Sequence, residues 1–183
     1  MSNEIELLKF VCRRLDKAEI SYMLTGSLAA NFYLVPRMTR DIDFVINILP
    51  SEVDRFFHCF QNDFYIVKES IKEAIKHQGM FNAIHQSSVF KVDFIIRKDS
   101  SYREEEFQRK RQVLLGVEKI WIVSPEDLIL SKLIWAKDSL SDLQLRDVKN
   151  LLSAVKNLDE QYLHRWMQRL ELDTVYKKVT SNE

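Results

Sequence analysis

The chain has 183 residues, of which 46% are hydrophobic and 30% are charged, and its 27 basic residues equal its 27 acidic residues in number. These values are typical of a globular chain that folds as one domain, or as one domain with a small helical addition. Zero net charge excludes a strongly basic nucleic-acid coat and a polybasic membrane binder, but it is compatible with a local basic groove for RNA.

Cysteine usage and the lack of long apolar segments predict the compartment. Cys12 and Cys59 lie in amphipathic runs without the spacing of a metal site, which is typical of a reducing environment. The N-terminal segment carries charges throughout and has no apolar run of signal-peptide length. No stretch approaches the ~20 apolar residues of a membrane helix. We therefore expect a cytoplasmic protein that does not enter a membrane.

The first half of the chain alternates between helical and strand patterns. Apolar residues at three- and four-residue spacing predict an amphipathic helix at the start, and short apolar or β-branched runs predict strands. Gly26 ends a strand, Pro36 ends a helix and Ser51 is a predicted helix cap. The predicted helices are 3–18, 27–34, 51–61 and 69–77, and the predicted strands are 21–25, 42–48, 64–68, 81–86 and 89–96. The last two strands form a predicted hairpin.

The second half is mainly helical. Residues 101–111 are highly charged, which indicates a solvated helix or a mobile loop, and 119–123 are the last predicted strand. Ser124 is a predicted cap for a helix that ends near residue 137, with Pro125 in its first turn. Two more helices are predicted at 142–156 and 159–171.

This order of elements predicts an α+β fold: a mixed sheet with flanking helices and a helical C-terminal segment. The change of pattern near residue 124 suggests a core of 1–123 and a helical segment of 124–183 packed on it. A single domain is the alternative.

Three acidic residues interrupt otherwise apolar strands. Asp41 and Asp43 flank Ile42, so the two-residue period of a strand puts both carboxylates on one face. Asp93 lies in another apolar strand, on the face that it shares with Lys91. Clustered carboxylates repel one another, and a hard cation such as Mg²⁺ removes that conflict. If the two strands are neighbours, the acids can hold two Mg²⁺ ions, or Mn²⁺, about 3.5–4 Å apart for an in-line displacement.

A structural role is the alternative for these acids. Asp41 would act as a cap or pair with Arg40, and Asp43 would lie at an exposed strand end. A single acid–apolar–acid run occurs often by chance, so it favours the structural role when taken alone. The third acid, Asp93, shifts the balance towards metal binding.

Thr25, Gly26 and Ser27 connect a predicted strand to a predicted helix. Gly26 allows a tight turn, a helix start offers free backbone N–H groups to a phosphate, and Ser27 adds a hydroxyl donor. The alternative is that Ser27 is a helix cap and nothing more.

The combination is more specific than any single motif. LTGS at 24–27 is followed by RDIDFVI at 40–46 and KVDFII at 91–96. This order resembles the nucleotidyltransferase superfamily related to DNA polymerase β, in which a strand, Gly-Gly or Gly-Ser, and a helix precede an acid–apolar–acid strand and a later single acid. The expected fold is therefore the nucleotidyltransferase fold.

Within that superfamily, the chain is similar to the AbiEii-type and related minimal nucleotidyltransferases. The similarity rests on 25–46, which contains Arg-x-Thr-x-Asp-ϕ-Asp, and on the helical segment 124–152. It covers roughly residues 20–155. Ser27 departs from the second glycine of many AbiEii-type proteins, which weakens assignment to the toxin branch but not to the superfamily.

The resemblance implies a metal-dependent enzyme that moves a nucleotide from an NTP to an acceptor hydroxyl and releases pyrophosphate. Relatives suggest tRNA or another RNA, a small hydroxylated molecule or a protein as the acceptor, and an antitoxin as a possible partner. The rival is a non-catalytic NTP-binding or interaction module, or one component of a toxin–antitoxin pair. The implied metal ligands and catalytic acids are Asp41, Asp43 and Asp93, and the implied NTP-binding residues are Gly26, Ser27, Arg40 and Lys132.

Several of these residues also have a structural interpretation. Lys132 is the best match to a phosphate-contacting lysine, with a solvated helix lysine as the alternative. Arg37 and Arg40 either reach phosphate or balance the carboxylates, and Arg37 alone is compatible with a surface position. Asp147 matches the family segment, although pairing with a neighbouring Arg or Lys is the commoner role for such a residue.

The remaining candidates are weaker. The run Arg109–Arg111 is compatible with RNA contact, but a charged face on a solvated helix is the favoured interpretation. The four histidines lack ligand spacing and are predicted to be structural or on the surface. Trp121 and Trp135 are predicted to lie in the core.

Overall fold

The computed structural model describes residues 3–39, 41–88, 90–139 and 141–180, which form nine α-helices and seven β-strands. The helices are α1 (Asn3–Lys17), α2 (Gly26–Ala30), α3 (Val53–Phe60), α4 (Lys68–Lys76), α5 (Ser101–Gln108), α6 (Pro125–Ser139), α7 (Asp142–Ala154), α8 (Glu160–Arg169) and α9 (Asp173–Thr180). The strands are β1 (Ser21–Thr25), β2 (Asp41–Asn47), β3 (Phe64–Tyr65), β4 (Met80–His85), β5 (Lys91–Ile96), β6 (Arg111–Leu115) and β7 (Glu118–Ile122).

All seven strands belong to one sheet, in the order β3-β4-β5-β2-β1-β7-β6. β2 pairs with β5 and β1 pairs with β7 in parallel, whereas the other neighbours are antiparallel. The predicted mixed sheet is therefore confirmed, as is the hairpin of β4 and β5. Val89, which belonged to the predicted strand 89–96, lies outside the described residues. The two strands that carry the acids are direct neighbours near the middle of the sheet.

An aromatic core covers one face of the sheet. Phe44 of β2 and Phe94 of β5 are register partners, and their ring centroids lie 6.0 Å apart. Phe56 and Phe60 of α3 meet the Phe94 ring edge-on at 5.1 and 5.5 Å. Because side chains alternate along a strand, this core faces away from the acids of β2 and β5. The apolar residues thus fix which face of the sheet presents the carboxylates.

The C-terminal helices pack around α6, which also contacts α2. Ser124 caps α6 as predicted, because its Oγ accepts a hydrogen bond from the Asp127 backbone N–H at 3.1 Å. The buried Asp127 carboxylate accepts further hydrogen bonds from the Ser124 hydroxyl at 2.6 Å and the Tyr162 hydroxyl at 2.5 Å. The division of the chain at residue 124 stays a prediction. None of the described helices combines the length and apolar character that crossing a membrane requires.

Several boundaries differ from the predicted ones. α2 ends at Ala30 rather than near residue 34, because the next residues form i→i−3 hydrogen bonds and Asn31 bonds to both backbone groups of Arg37. Ser51 is not a helix cap, since it lies inside a 3₁₀ turn at Pro50–Glu52. β6 and α9 have no counterpart among the predicted elements, and β3 has only two residues.

The charged run 101–111 is neither a fully solvated helix nor a mobile loop. It forms α5 and the start of β6, and α5 buries Tyr102, Glu106 and Phe107. Arg109 lies over the Tyr162 ring, with its guanidinium carbon 3.7 Å from the ring centre, and pairs with Asp127 at 3.3 Å. Ion pairs with buried acids of α6 therefore attach this charged segment to the rest of the fold. The number of charges along the sequence does not reveal those partners.

The two tryptophans have different environments. Trp121 is half-buried and packs against the core, as predicted. Trp135 is 62% exposed, so its predicted core position is wrong. Trp135 belongs to the helix face that borders a cleft.

Candidate active site

The sheet register aligns the candidate residues in one row. Thr25 of β1 pairs with Asp43 of β2, and Asp43 pairs with Asp93 of β5. Side chains in one row of a sheet point to the same face, so the end of β1, the second acid of the D-x-D run and the single acid meet. Asp41 lies one row further out, opposite Lys91. The structure thus brings the three predicted acids together.

Lys91 lies between two of these acids. Its ammonium is 2.9 Å from Oδ2 of Asp93 and 3.6 Å from Oδ1 of Asp41. The hydrogen bond to Asp93 raises the pKa of Lys91 above its ordinary value, so the side chain is a cation at neutral pH. Sequence reasoning put Lys91 on the face of Asp93 without giving it a role. Its pairing with Asp41 follows only from the parallel register of β2 and β5.

Asp43 lacks such a partner, since no hydrogen bond or ion pair reaches its carboxylate from the described residues. Burial, together with repulsion from Asp93 and Asp41, raises the pKa of Asp43 to about 6. Asp93 is only 5% exposed, and its Oδ1 has no hydrogen-bond partner among the described residues. A buried carboxylate oxygen without a donor is costly, and a cation or a proton donor from a ligand relieves that cost.

These oxygens fit a divalent cation in chemistry. The donor set is all carboxylate, which suits Mg²⁺ or Mn²⁺, and Oδ1 of Asp93 and the Asp43 carboxylate lack protein donors in the described part of the chain. As the side chains lie, however, no three His, Cys, Asp or Glu residues among those described are arranged to hold a metal ion. The Lys91 ammonium occupies the space between Asp41 and Asp93 instead. The metal site therefore stays a prediction.

Gly26 approaches Asp43 more closely than any other residue type allows. Its φ is +68°, and a Cβ built on it lies 2.0 Å from Oδ2 of Asp43. Both observations require glycine, because the left-handed backbone disfavours a side chain and the carboxylate fills the space where one would lie. The turn after β1 is thereby held directly against the acids.

Gly26→Ala is expected to destabilise the protein by about 1–3 kcal/mol, since it adds left-handed strain and displaces the Asp43 side chain. Chemical denaturation of the two proteins measures this. Gly79→Ala is the matched control, because a Cβ at Gly79 meets nothing within 4 Å. Equal losses at the two glycines would contradict the argument.

A network of hydrogen-bonded polar side chains connects the glycine turn to the C-terminal helices. Arg37 donates hydrogen bonds to Ser27 Oγ at 3.0 Å and to Oδ2 of Asp147 at 3.1 Å. The same carboxylate oxygen accepts from the Lys132 ammonium at 2.7 Å, and Lys132 also donates to Gln144 at 3.0 Å. Ser27 lies inside α2 and does not cap it, since the cap residue is Thr25. The interpretation of Ser27 as only a helix cap is therefore wrong.

The members of this hydrogen-bonded network differ in how deeply they are buried. Lys132 is 4% exposed and Asp147 is 3% exposed, so the alternative of a solvated helix lysine is wrong. The Lys132 charge offsets part of the rise in the pKa of Asp43. Asp147 does pair with a lysine and an arginine, as the commoner role for such a residue predicts. Arg40 lies outside the described residues.

A cleft of about 790 Å³ runs over this site. The acids and the glycine turn line one side, and the α6 residues Lys132, Trp135 and Ser139 line the other. These α6 residues follow one another at helical spacing and so share a face. The arrangement sets buried anionic oxygens opposite a buried cation, with an exposed aromatic ring one turn further along.

Solved structures with the same fold were found by comparison of the whole chain. ANT(2'')-Ia, an antibiotic-resistance factor, has a TM-score of 0.65 at 10% identity, with 96% of each chain covered. An antigenic nucleotidyltransferase-like protein from Paracoccidioides brasiliensis has a TM-score of 0.58 at 15% identity, covering 97% of this chain and 92% of its own. The lincosamide antibiotic adenylyltransferase LnuA, bound to lincomycin, has a TM-score of 0.56 at 13% identity, covering 85% and 99%.

Sequence comparisons add no closer relative. No protein-family model matches the chain, and no curated protein matches it. The AbiEii-type branch of the predicted resemblance is therefore not confirmed. The structural matches nevertheless extend over nearly the whole chain and agree with the mixed sheet and the helical C-terminal part. The chain has the nucleotidyltransferase fold.

Proposed function

We propose that the protein transfers a nucleotide from an NTP to an acceptor hydroxyl and releases pyrophosphate. The observation that carries this proposal is the cleft itself. Oδ1 of Asp93, which is buried without a donor from the described residues, and the neighbouring Asp43 carboxylate line the same cleft as Lys132. A triphosphate with a divalent cation satisfies both walls, because phosphate oxygens meet the lysine and the cation meets the acids.

The acids would hold the cation, Mg²⁺ or Mn²⁺, through Asp41, Asp43 and Asp93. Bound there, the ion would neutralise charge on the reacting phosphate. Ser27 offers its hydroxyl, and Lys132 offers the third of its three N–H groups, since Asp147 and Gln144 accept the other two. These groups orient the triphosphate, so the protein contributes positioning and charge rather than a covalent intermediate.

The reaction needs a base for the acceptor hydroxyl. The Asp93 carboxylate is buried in the cleft, and Oδ1 accepts no hydrogen bond from the described residues, so this carboxylate is suited to take that proton. The hydroxyl oxygen then forms a bond to the α-phosphorus while the bond from the α-phosphorus to the pyrophosphate oxygen breaks. Arg40, the remaining NTP-binding residue implied by the resemblance, is proposed to contact phosphate from the segment before β2.

We propose a small hydroxylated molecule as the acceptor. The cleft volume of about 790 Å³ lies in the usual range for small-molecule sites. Two of the structural neighbours point the same way, since one is a lincosamide adenylyltransferase bound to lincomycin and another was solved with adenylyl-2''-tobramycin. Transfer to RNA or protein, and a role with an antitoxin partner, remain predictions of the sequence resemblance. A cytoplasmic location is proposed from the two cysteines, Cys12 and Cys59, which lack the spacing of a metal site.

Transfer is tested by incubating the protein with each α-labelled NTP and Mg²⁺, together with pools of hydroxylated small molecules, total RNA or total protein. Label is expected in the small-molecule fraction, with release of pyrophosphate. Calorimetric titration of each NTP with Mg²⁺ tests the rival, a binding module, separately. Binding without transfer to any pool would favour that rival, and the absence of both would contradict the NTP assignment.

A further inference from the structure

Lys91 has an unusual position for a lysine beside proposed metal ligands. It pairs with Asp93 along its own strand, two residues away, and with Asp41 across the parallel register of β2 and β5. A cation that is fixed by both the strand period and the sheet register is built into the fold. The pair with Asp93 has a buried carboxylate, unlike an exposed pair between two mobile side chains, whereas the pair with Asp41 is half-exposed on both sides.

The two oxygens of Asp93 are used differently. Oδ2 receives the Lys91 ammonium at 2.9 Å, whereas Oδ1 is buried without a hydrogen-bond partner among the described residues. Asp41 shares the ammonium at 3.6 Å, and Asp43 has no ion pair with any of those residues. The Lys91 ammonium therefore pairs with Oδ2 of Asp93 and with Asp41. Oδ1 of Asp93 and the Asp43 carboxylate have no ion pair with the described residues.

We propose that Lys91 is a tethered cation that takes one of the two cation positions of this site, so that the nucleotide-free protein binds one divalent ion rather than two. Three carboxylates and one ammonium leave a net charge of −2, which a single divalent ion balances. That ion is held by Asp43 and Oδ1 of Asp93. The second ion enters only when the ammonium leaves Asp41 and Asp93. This inference rests on the proposed function for the presence of a metal site.

Lys91 is also expected to stabilise the protein without metal. Lys91 reduces the repulsion among the acids, so the metal-free fold depends on it. Removing its charge raises that repulsion, and divalent cations then compensate more strongly than in the wild type. Metal binding and the melting temperature without metal are therefore expected to change in opposite directions in the same variant.

The test counts Mn²⁺ ions bound to the full chain without nucleotide, by electron paramagnetic resonance of the free ion at neutral pH. The wild type is expected to bind one ion. Lys91→Met is expected to bind two, with the second at least about tenfold tighter than in the wild type. Lys91→Arg keeps the charge and is expected to bind one. Lys98→Met removes a lysine that borders the same cleft at an exposed position, and it is expected to match the wild type.

Melting curves in chelator provide the second measurement. Lys91→Met is expected to melt below the wild type and to recover on addition of Mn²⁺, whereas Lys98→Met is expected to match the wild type. Two tightly bound ions in the wild type would overturn the inference without any variant, even if Lys91→Met failed to fold. Two ions in a wild type that also transfers label would overturn this inference alone. No Mn²⁺ bound to any of the proteins would overturn it together with the metal site of the proposed function.

Discussion

Asp43→Asn is expected to abolish nucleotide transfer and to stabilise the metal-free protein at neutral pH. The carboxylate lies in the row that joins Thr25 to Asp93, where it is raised in energy by burial and by its acidic neighbours. An amide of the same shape keeps the packing but cannot neutralise a divalent cation. Loss of a metal ligand of this kind removes several kcal/mol of transition-state stabilisation, which is about 10²–10⁴-fold in rate.

The stability change has a defined pH dependence. The folded pKa of Asp43 is about 6, above its ordinary value of 3.8, so between these values the folded state binds more protons than the unfolded state. Wild-type stability therefore falls as the pH rises from about 4 to about 6, and the penalty is complete above that window. Asn carries no such penalty, so the variant is expected to be more stable by about 1–3 kcal/mol at pH 7 and equal to the wild type near pH 3.5.

Denaturation in chelator across this pH range, with transfer assays on the same samples, measures both effects. Asp99→Asn is the control, because Asp99 is an exposed acid that pairs with Arg97 outside the acidic group. Its stability is expected to stay within about 0.5 kcal/mol of the wild type, and its transfer activity is expected to be unchanged. A wild-type rate in Asp43→Asn, or a loss of stability at pH 7, would contradict the role of Asp43 as a strained metal ligand.

The strands that carry the acids were predictable because their patterns are local. A buried strand needs a run of apolar residues, so the charges in DIDFVIN and KVDFII stand out against it. The turn after β1 was predictable for the same reason, since Gly26 is required by a local backbone angle. These short-range signals gave the order of elements on which the resemblance rested.

Pairings between distant elements were not predictable from such patterns. The role of Lys91 depends on the register of β2 against β5, and the burial of Lys132 depends on Asp147 approaching from α7. Arg109 was assigned to a solvated face because its partners on α6 and α8 are remote in sequence. Trp135 was assigned to the core from its apolar character alone. Each of these environments is created by packing between elements, which hydrophobic periodicity does not encode.

Lys132 is expected to combine two roles that can be separated by mutation. Its ammonium is buried against Asp147 at 2.7 Å, so Lys132→Met leaves a buried carboxylate with Arg37 as its remaining ionic partner. Removing one member of a buried pair typically costs about 3–5 kcal/mol, and the remaining arginine favours the lower end of that range. Lys132→Met is also expected to lose NTP binding, because the N–H group that faces the cleft is gone.

The double variant Lys132→Met/Asp147→Leu distinguishes the two roles. It removes the uncompensated buried carboxylate, and apolar replacement of a buried pair is often close to neutral, so most of the lost stability is expected to return. Arg37 is half-exposed and can remain solvated without Asp147. NTP binding is not expected to return, because neither methionine nor leucine donates to a phosphate. Denaturation and calorimetric titration of the wild type, the single variant and the double variant measure both properties. If the double variant binds NTP as tightly as the wild type, Lys132 serves only to join α6 to α7.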